Sequence, residues 1–168
     1  MAKYYGKYRG TVVDNNDPMQ MSRLAVQVPD VSSLQTSTWA MPCAPFAGGG
    51  SGSVAVPPIG ASVWVEFEQG NADYPIWSGC FWGSSAEVPA QALATPPGVQ
   101  AIVLQSVGQS LLMISDTPGA AGGILLQSSS GASIAINATG ITISNGQGAT
   151  ITLTGPTVTI NEGALAIT

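Results

Sequence analysis

The sequence predicts an all-β chain in two parts: an N-terminal five-stranded OB-fold barrel, then an intertwined triple-stranded β-helix that makes the protein a homotrimer. Three observations carry this reading. Strand-period alternation recurs along the chain, and no segment sustains a 3.6-residue apolar period between caps. Composition breaks near residue 83, since every aromatic lies at or before Trp82. Beyond that break, pairs of Ile, Leu or Val at alternate positions recur at short, near-regular intervals.

The whole-chain numbers narrow the function classes. Charged residues make up 8% of 168 residues, against about 25% in an average soluble domain. Yet no apolar run approaches the 18 or so residues of a spanning helix, because Gly, Ser, Thr and Gln interrupt every stretch. The N-terminus, Met1 to Lys7, has no apolar core of a secretory signal, so synthesis in the cytoplasm is expected. A net charge of −5 opposes nucleic-acid binding, which needs a basic footprint. The chain has no histidine, and so lacks the commonest general base and metal ligand. Its two cysteines, Cys43 and Cys80, cannot make a four-thiolate zinc site and are expected as small buried hydrophobes. No cofactor, metal or catalytic residue is expected.

Residues 1–83 are read as the barrel. Tyr8–Val13, Leu24–Pro29, Val63–Glu68 and Ile76–Trp82 supply strands, bounded by the turn signals Asp14 to Pro18 and Gly70 to Pro75. In the third of these, Val63, Val65 and Phe67 share one face, with Trp64, Glu66 and Glu68 on the other. About five strands in this length fit a small closed barrel. Ala47 to Gly52 is glycine-rich but lacks the Lys-Ser/Thr ending of a phosphate loop, and is expected as a loop that orders against a neighbouring protein. Trp64, Trp77 and Trp82 are expected in the barrel core or a subunit interface.

Residues 84–98 are read as a linker, because Pro89, Pro96 and Pro97 oppose both helix and ladder pairing. Residues 99–168 are read as the β-helix. Its later apolar pairs, Ile134/Ile136, Ile141/Ile143, Ile151/Leu153, Val158/Ile160 and Leu165/Ile167, are separated by small polar turns such as Thr139-Gly140. The opposite strand face carries mostly Thr, Ser and Ala.

One such chain has no second layer to cover its apolar face. A single-chain solenoid needs about 20 or more residues per turn, longer than the spacing here. Three chains forming a triangular prism fit the spacing, each supplying one wall. Those ten apolar residues are then the trimer axis core, with stability from cross-chain ladders and a dry interior. The nearly charge-free, Thr-rich outer wall suits passage through an apolar layer.

At this point the residues resemble a known family. Pro57-Pro58-Ile59-Gly60, Val63-Trp64-Val65-Glu66-Phe67-Glu68-Gln69-Gly70-Asn71 and Asp73-Tyr74-Pro75-Ile76-Trp77-Ser78-Gly79 form one continuous pattern. It resembles the OB-fold of central spikes from contractile injection systems, including phage baseplate assembly protein V and the type VI valine-glycine-repeat spike. Tyr8 to Asn15, Arg23 to Pro29 and Trp39 to Gly48 are similar to the same family, so the resemblance covers residues 4 to 83 densely.

The resemblance implies a non-enzymatic, membrane-piercing structural protein at the tube tip of a contractile tail, assembled at the baseplate of a phage or phage-like particle. Its implied partners are itself, a baseplate hub or tube-adaptor protein, and the target cell envelope. Some relatives end in a His-x-His iron site; this chain has none, so a PAAR-type tip protein is expected at its C-terminal end. Lys3, Lys7, Arg9 and Arg23, the only basic residues, are the hub-docking candidates, since complementary charge sets register and encounter rate. The alternative is an OB-fold ligand-binding module for nucleic acid or glycan with a β-solenoid tail.

Overall fold

Alternation within one strand sets the core of the first half. In β6 (Ser62–Phe67), Val63, Val65 and Phe67 point inward and are buried, while Ser62, Trp64 and Glu66 stay partly exposed. They meet Val12 of β1 (Tyr8–Asp14), Val26 of β2 (Ala25–Gln27), and the flanking Leu24, Val28 and Ala40, forming an aliphatic cluster. The computed structural model describes residues 2–33 and 35–167, with the backbone alone at 163, 166 and 167. Within it the chain divides into two compact units, Met1–Ser85 and Ala86–Thr168.

The first unit has the OB connectivity. β1 lies between β2 and β6, both antiparallel, and β6 pairs with β7 (Pro75–Cys80). β7 pairs in parallel with β3 (Met41–Pro42). The bridges Leu24↔Ala40 and Gln27↔Thr36 join the β2 and β3 sides and close the barrel. Gly10 makes the closure possible at β1: a Cβ there would lie 2.9 Å from Val65 Cγ2 and 3.2 Å from the Gln27 carbonyl oxygen. The expected strand Leu24–Pro29 is shorter than read, because Pro29 instead opens the helical turn α1 (Pro29–Ser32), a position where its missing N–H costs nothing. Glu68 also leaves its strand, turning into the 3-10 segment Glu68–Gly70.

Between β3 and β6, a small hairpin of β4 (Ala47–Gly48) and β5 (Ser51–Gly52) replaces the irregular loop expected there. Two further expectations are corrected. Cys43 and Cys80 are exposed and free, not buried. Of the two places expected for the tryptophans, core or subunit interface, the core does not hold Trp82, which is exposed, or Trp64, which stands on the outer wall against Phe81, because the aliphatic side chains already fill the small interior. Trp77 is half-buried against the core.

In the second unit, a 3-10 turn (Ser85–Glu87, at its junction with the first) and one helical turn, α2 (Ala90–Leu93), occupy part of the proline-rich stretch 84–98; Pro89 caps that turn without interrupting it. Eight strands follow: β8 (Ala101–Gln105), β9 (Leu111–Ser115), β10 (Gly123–Gln127), β11 (Ser133–Asn137), β12 (Gly140–Ser144), β13 (Thr150–Thr154), β14 (Thr157–Ile160) and β15 (Leu165–Ile167). They form one antiparallel sheet in chain order. The ladder therefore runs within the chain, where cross-chain ladders were expected. Tight connections make consecutive pairing the shortest route: the Asn145 side-chain oxygen accepts the N–H groups of Gln147 and Ala149 across the β12–β13 turn. Gly140 opens β12 at φ +137°, where a Cβ would sit 2.0 Å from the Leu153 carbonyl oxygen.

Candidate functional site

Antiparallel register aligns the apolar pairs of the second unit into two rows on one sheet face. One row runs Ile102, Ile114, Ile124, Ile136, Ile141, Leu153, Val158. The other runs Leu104, Leu112, Leu126, Ile134, Ile143, Ile151, Ile160, Leu165. Ile167 pairs with Val158 at the end of the first row, and its side chain lies outside the described residues. A strand period of two keeps the members of each pair on one face, and a one-residue slip in register would carry a strand's pair to the other face.

The face they form is inverted relative to a free-standing sheet. In β11 the exposed positions are Ile134 and Ile136, at 39% and 42%, while Ser133, Ala135 and Asn137 between them are partly covered. The same holds for Ile143 in β12 and for Ile151 and Leu153 in β13. A contiguous apolar surface of this extent marks an interaction face. Completing the burial of each side chain contributes about 1 kcal/mol or more, so the two rows together can offset the cost of association.

The basic candidates do different work. Lys3 Nζ donates to the Gln69 carbonyl at 3.0 Å. Lys7 Nζ donates to Ser78 Oγ at 2.7 Å and lies 3.2 Å from a Glu66 carboxylate oxygen, half-exposed. The Arg9 guanidinium stands 5.9 Å from the Trp64 ring centre and 5.4 Å from that of Phe81. These three lie on or beside the wall of β1, β6 and β7. Arg23 is engaged elsewhere: its Nη2 and Nε donate to one Asp17 oxygen at 2.6 and 3.0 Å, and its side chain is mostly buried. Its charge is neutralised inside the protein, so Arg23 is withdrawn from the docking set.

The Asp17–Arg23 pair is the feature that sequence patterning missed. Asp17 accepts the backbone N–H groups of Met19, Met21 and Arg23 as well, fixing the β1–β2 connection. The Arg23 hydrogen bonds, helped by those backbone donors and opposed by burial, hold its carboxyl well below the usual carboxylate range. Among the described residues, no three Asp, Glu, Cys or His side chains gather as a metal site, and no helix is long and apolar enough to cross a membrane.

A closed OB barrel joined to a sheet with an uncovered double row of Ile and Leu is the combination that comparison with known families resolves. Residues 8–82 match the model described as the type VI secretion system/phage-baseplate injector OB domain, and residues 101–166 match the phage baseplate V C-terminal trimerisation domain. The chain belongs to the phage baseplate V spike family. Its second unit is that family's trimerisation domain, and the inverted apolar face is what a trimerising sheet requires. A curated relative, the type VI secretion system spike protein VgrG4b of Pseudomonas aeruginosa, is 34% identical over 55 residues, a third of this chain. The match spans 7% of that much longer protein. The matched families are structural spike and baseplate domains of phage and secretion-system particles.

Proposed function

We propose that this chain is the non-enzymatic, homotrimeric central spike at the tube tip of a contractile tail or injection particle. It caps the tube, docks on the baseplate hub, and is driven ahead of the tube into the target envelope. The observation that carries the reading is the double row of apolar side chains on the second unit, most of its Ile and Leu exposed. Three such faces turned inward bury one another and present the Thr/Ser/Ala faces outward. Ile134, Ile136, Ile141, Ile143, Ile151, Leu153, Val158, Ile160, Leu165 and Ile167 would line the shared axis.

Docking on the hub falls to Lys3, Lys7 and Arg9, which concentrate positive charge on a chain of net charge −5. Exposed charges of this kind steer encounter and fix orientation more than they add affinity. A PAAR-type protein would cover the far end of the β-helix. Light scattering on a sizing column tests the assembly: the reading expects three times 17.0 kDa. Electron micrographs of particles assembled without this chain test the role. Missing or incomplete baseplates are expected, and a normal yield of contractile, infective particles would overturn it.

A further inference from the structure

Residues 45–56 form an arm in which every residue is exposed. Its β4–β5 hairpin has two residues a side and turns at Gly49-Gly50, and Ser53 N–H donates to the Phe46 carbonyl at 3.1 Å. Three apolar side chains ride on it: Phe46, Val54 and Val56, at 62%, 76% and 41% exposure. A two-stranded hairpin this short is marginal in water, and its glycines raise the entropic cost of holding it. Between the arm and the barrel wall lies an open cleft of about 750 Å³. Its lining includes Met21, Pro42, Pro45, Val54 and Trp77, and among the described residues no charged side chain reaches it.

We propose that arm and cleft form an intersubunit clamp, closing in the trimer on an apolar surface of the neighbouring copy's first unit. The inference rests on the trimeric reading above. Covalent attachment to a trimerising domain raises the effective concentration of one barrel near another to the order of millimolar, so even a weak contact is populated. The clamp and the surface it grips are different patches of one unit. Such a heterologous contact, repeated head to tail, closes into a ring under the three-fold symmetry of a trimer. The uncharged lining suits self-association of an acidic chain, whose carboxylates would repel across a charged seam. Outside the arm, Tyr5, Ile59 and Tyr74 are exposed apolar side chains for it to grip.

The full chain carrying benzoylphenylalanine in place of Val54 tests this. The expected result is a trimeric mass and, after irradiation, covalent two- and three-chain species on a denaturing gel. A trimeric mass with cross-links only inside one chain would overturn the clamp and leave the spike reading standing. A monomeric mass would overturn both. Val54→Arg supplies an independent reading, because this side chain contributes little burial within its own unit. The tryptophan-monitored melting temperature of the trimer should fall by several degrees, and an unchanged transition would count against the clamp.

Discussion

Arg23 reaches the Asp17 carboxylate from two nitrogens while the same carboxylate accepts three backbone N–H groups from the loop it closes. That single acid therefore organises residues 17–23, where Gln20 and Ser22 both sit at positive φ without being glycine. The strain is sustained because the pair over-determines the loop. Trp77 adds to it, its indole N–H donating to the Ser22 carbonyl at 3.0 Å.

The Asp17–Arg23 pair predicts a pH dependence whose sign is fixed. The folded pKa lies below the unfolded value of about 3.9, so the stabilisation is complete above that value and is lost as pH falls toward the folded one. Urea midpoints of the first unit should drop between about pH 5 and pH 2. Asp17→Asn should lower the midpoint at neutral pH and flatten that slope. An unaltered slope in the variant would assign the acid sensitivity to other carboxylates.

Faces of one strand should respond oppositely to the same charge. Ile143 lies in the apolar row, and Thr142 beside it faces the other way. Ile143→Asp would bring three carboxylates together in an apolar interior, which costs several kcal/mol per ion, and the light-scattering mass should fall to that of one chain. Thr142→Asp should assemble normally, with a cost below about 1 kcal/mol from strand preference alone. Equal behaviour of the two variants would show that the axis is assigned to the wrong face.

Leu24 has no exposed surface and touches the valines of the barrel interior. Leu24→Ala should destabilise the first unit by about 2–5 kcal/mol, the range for a buried leucine leaving a cavity. Every tryptophan lies in this unit, so intrinsic fluorescence in denaturant reads it directly. A loss under about 1 kcal/mol would mean that the interior collapses around the gap.

Two glycines of the second unit make a matched pair. Gly140→Ala would drive a methyl into the Leu153 carbonyl, whereas a Cβ at Gly148 meets nothing within 4 Å although both sit at positive φ. Circular dichroism melts should show Gly148→Ala costing on the order of 1 kcal/mol for backbone strain, with Gly140→Ala costing distinctly more. Equal shifts would place the constraint in backbone conformation and not in the close approach of β13.

Periodicity made the strands legible. The paired Ile, Leu and Val positions of residues 102–167 needed only a period of two and short turns, and antiparallel register turned them into rows. The Val63/Val65/Phe67 face was legible for the same reason. What escaped was set by tertiary geometry. Nothing local to Asp17 announces a partner six residues on, and no pattern distinguishes a committed Arg23 from a free one. The cysteines show the limit of residue preference, since a barrel this small fills with Leu and Val and leaves Cys43 and Cys80 outside. Tight turns determined the ladder direction, and the apolar pattern alone was compatible with pairing inside or between chains.

The in-chain meander also governs how the protein forms. Each strand from β8 to β15 finds its partner across a turn of a few residues, so contact order in this unit is low and hairpins can zip in succession on fast timescales. Closing long loops is not a barrier; the meeting of separate chains is. Spike yield should therefore depend steeply on how much chain is synthesised at once. A cell making too little would accumulate sticky single walls, open to wrong partners until two more arrive.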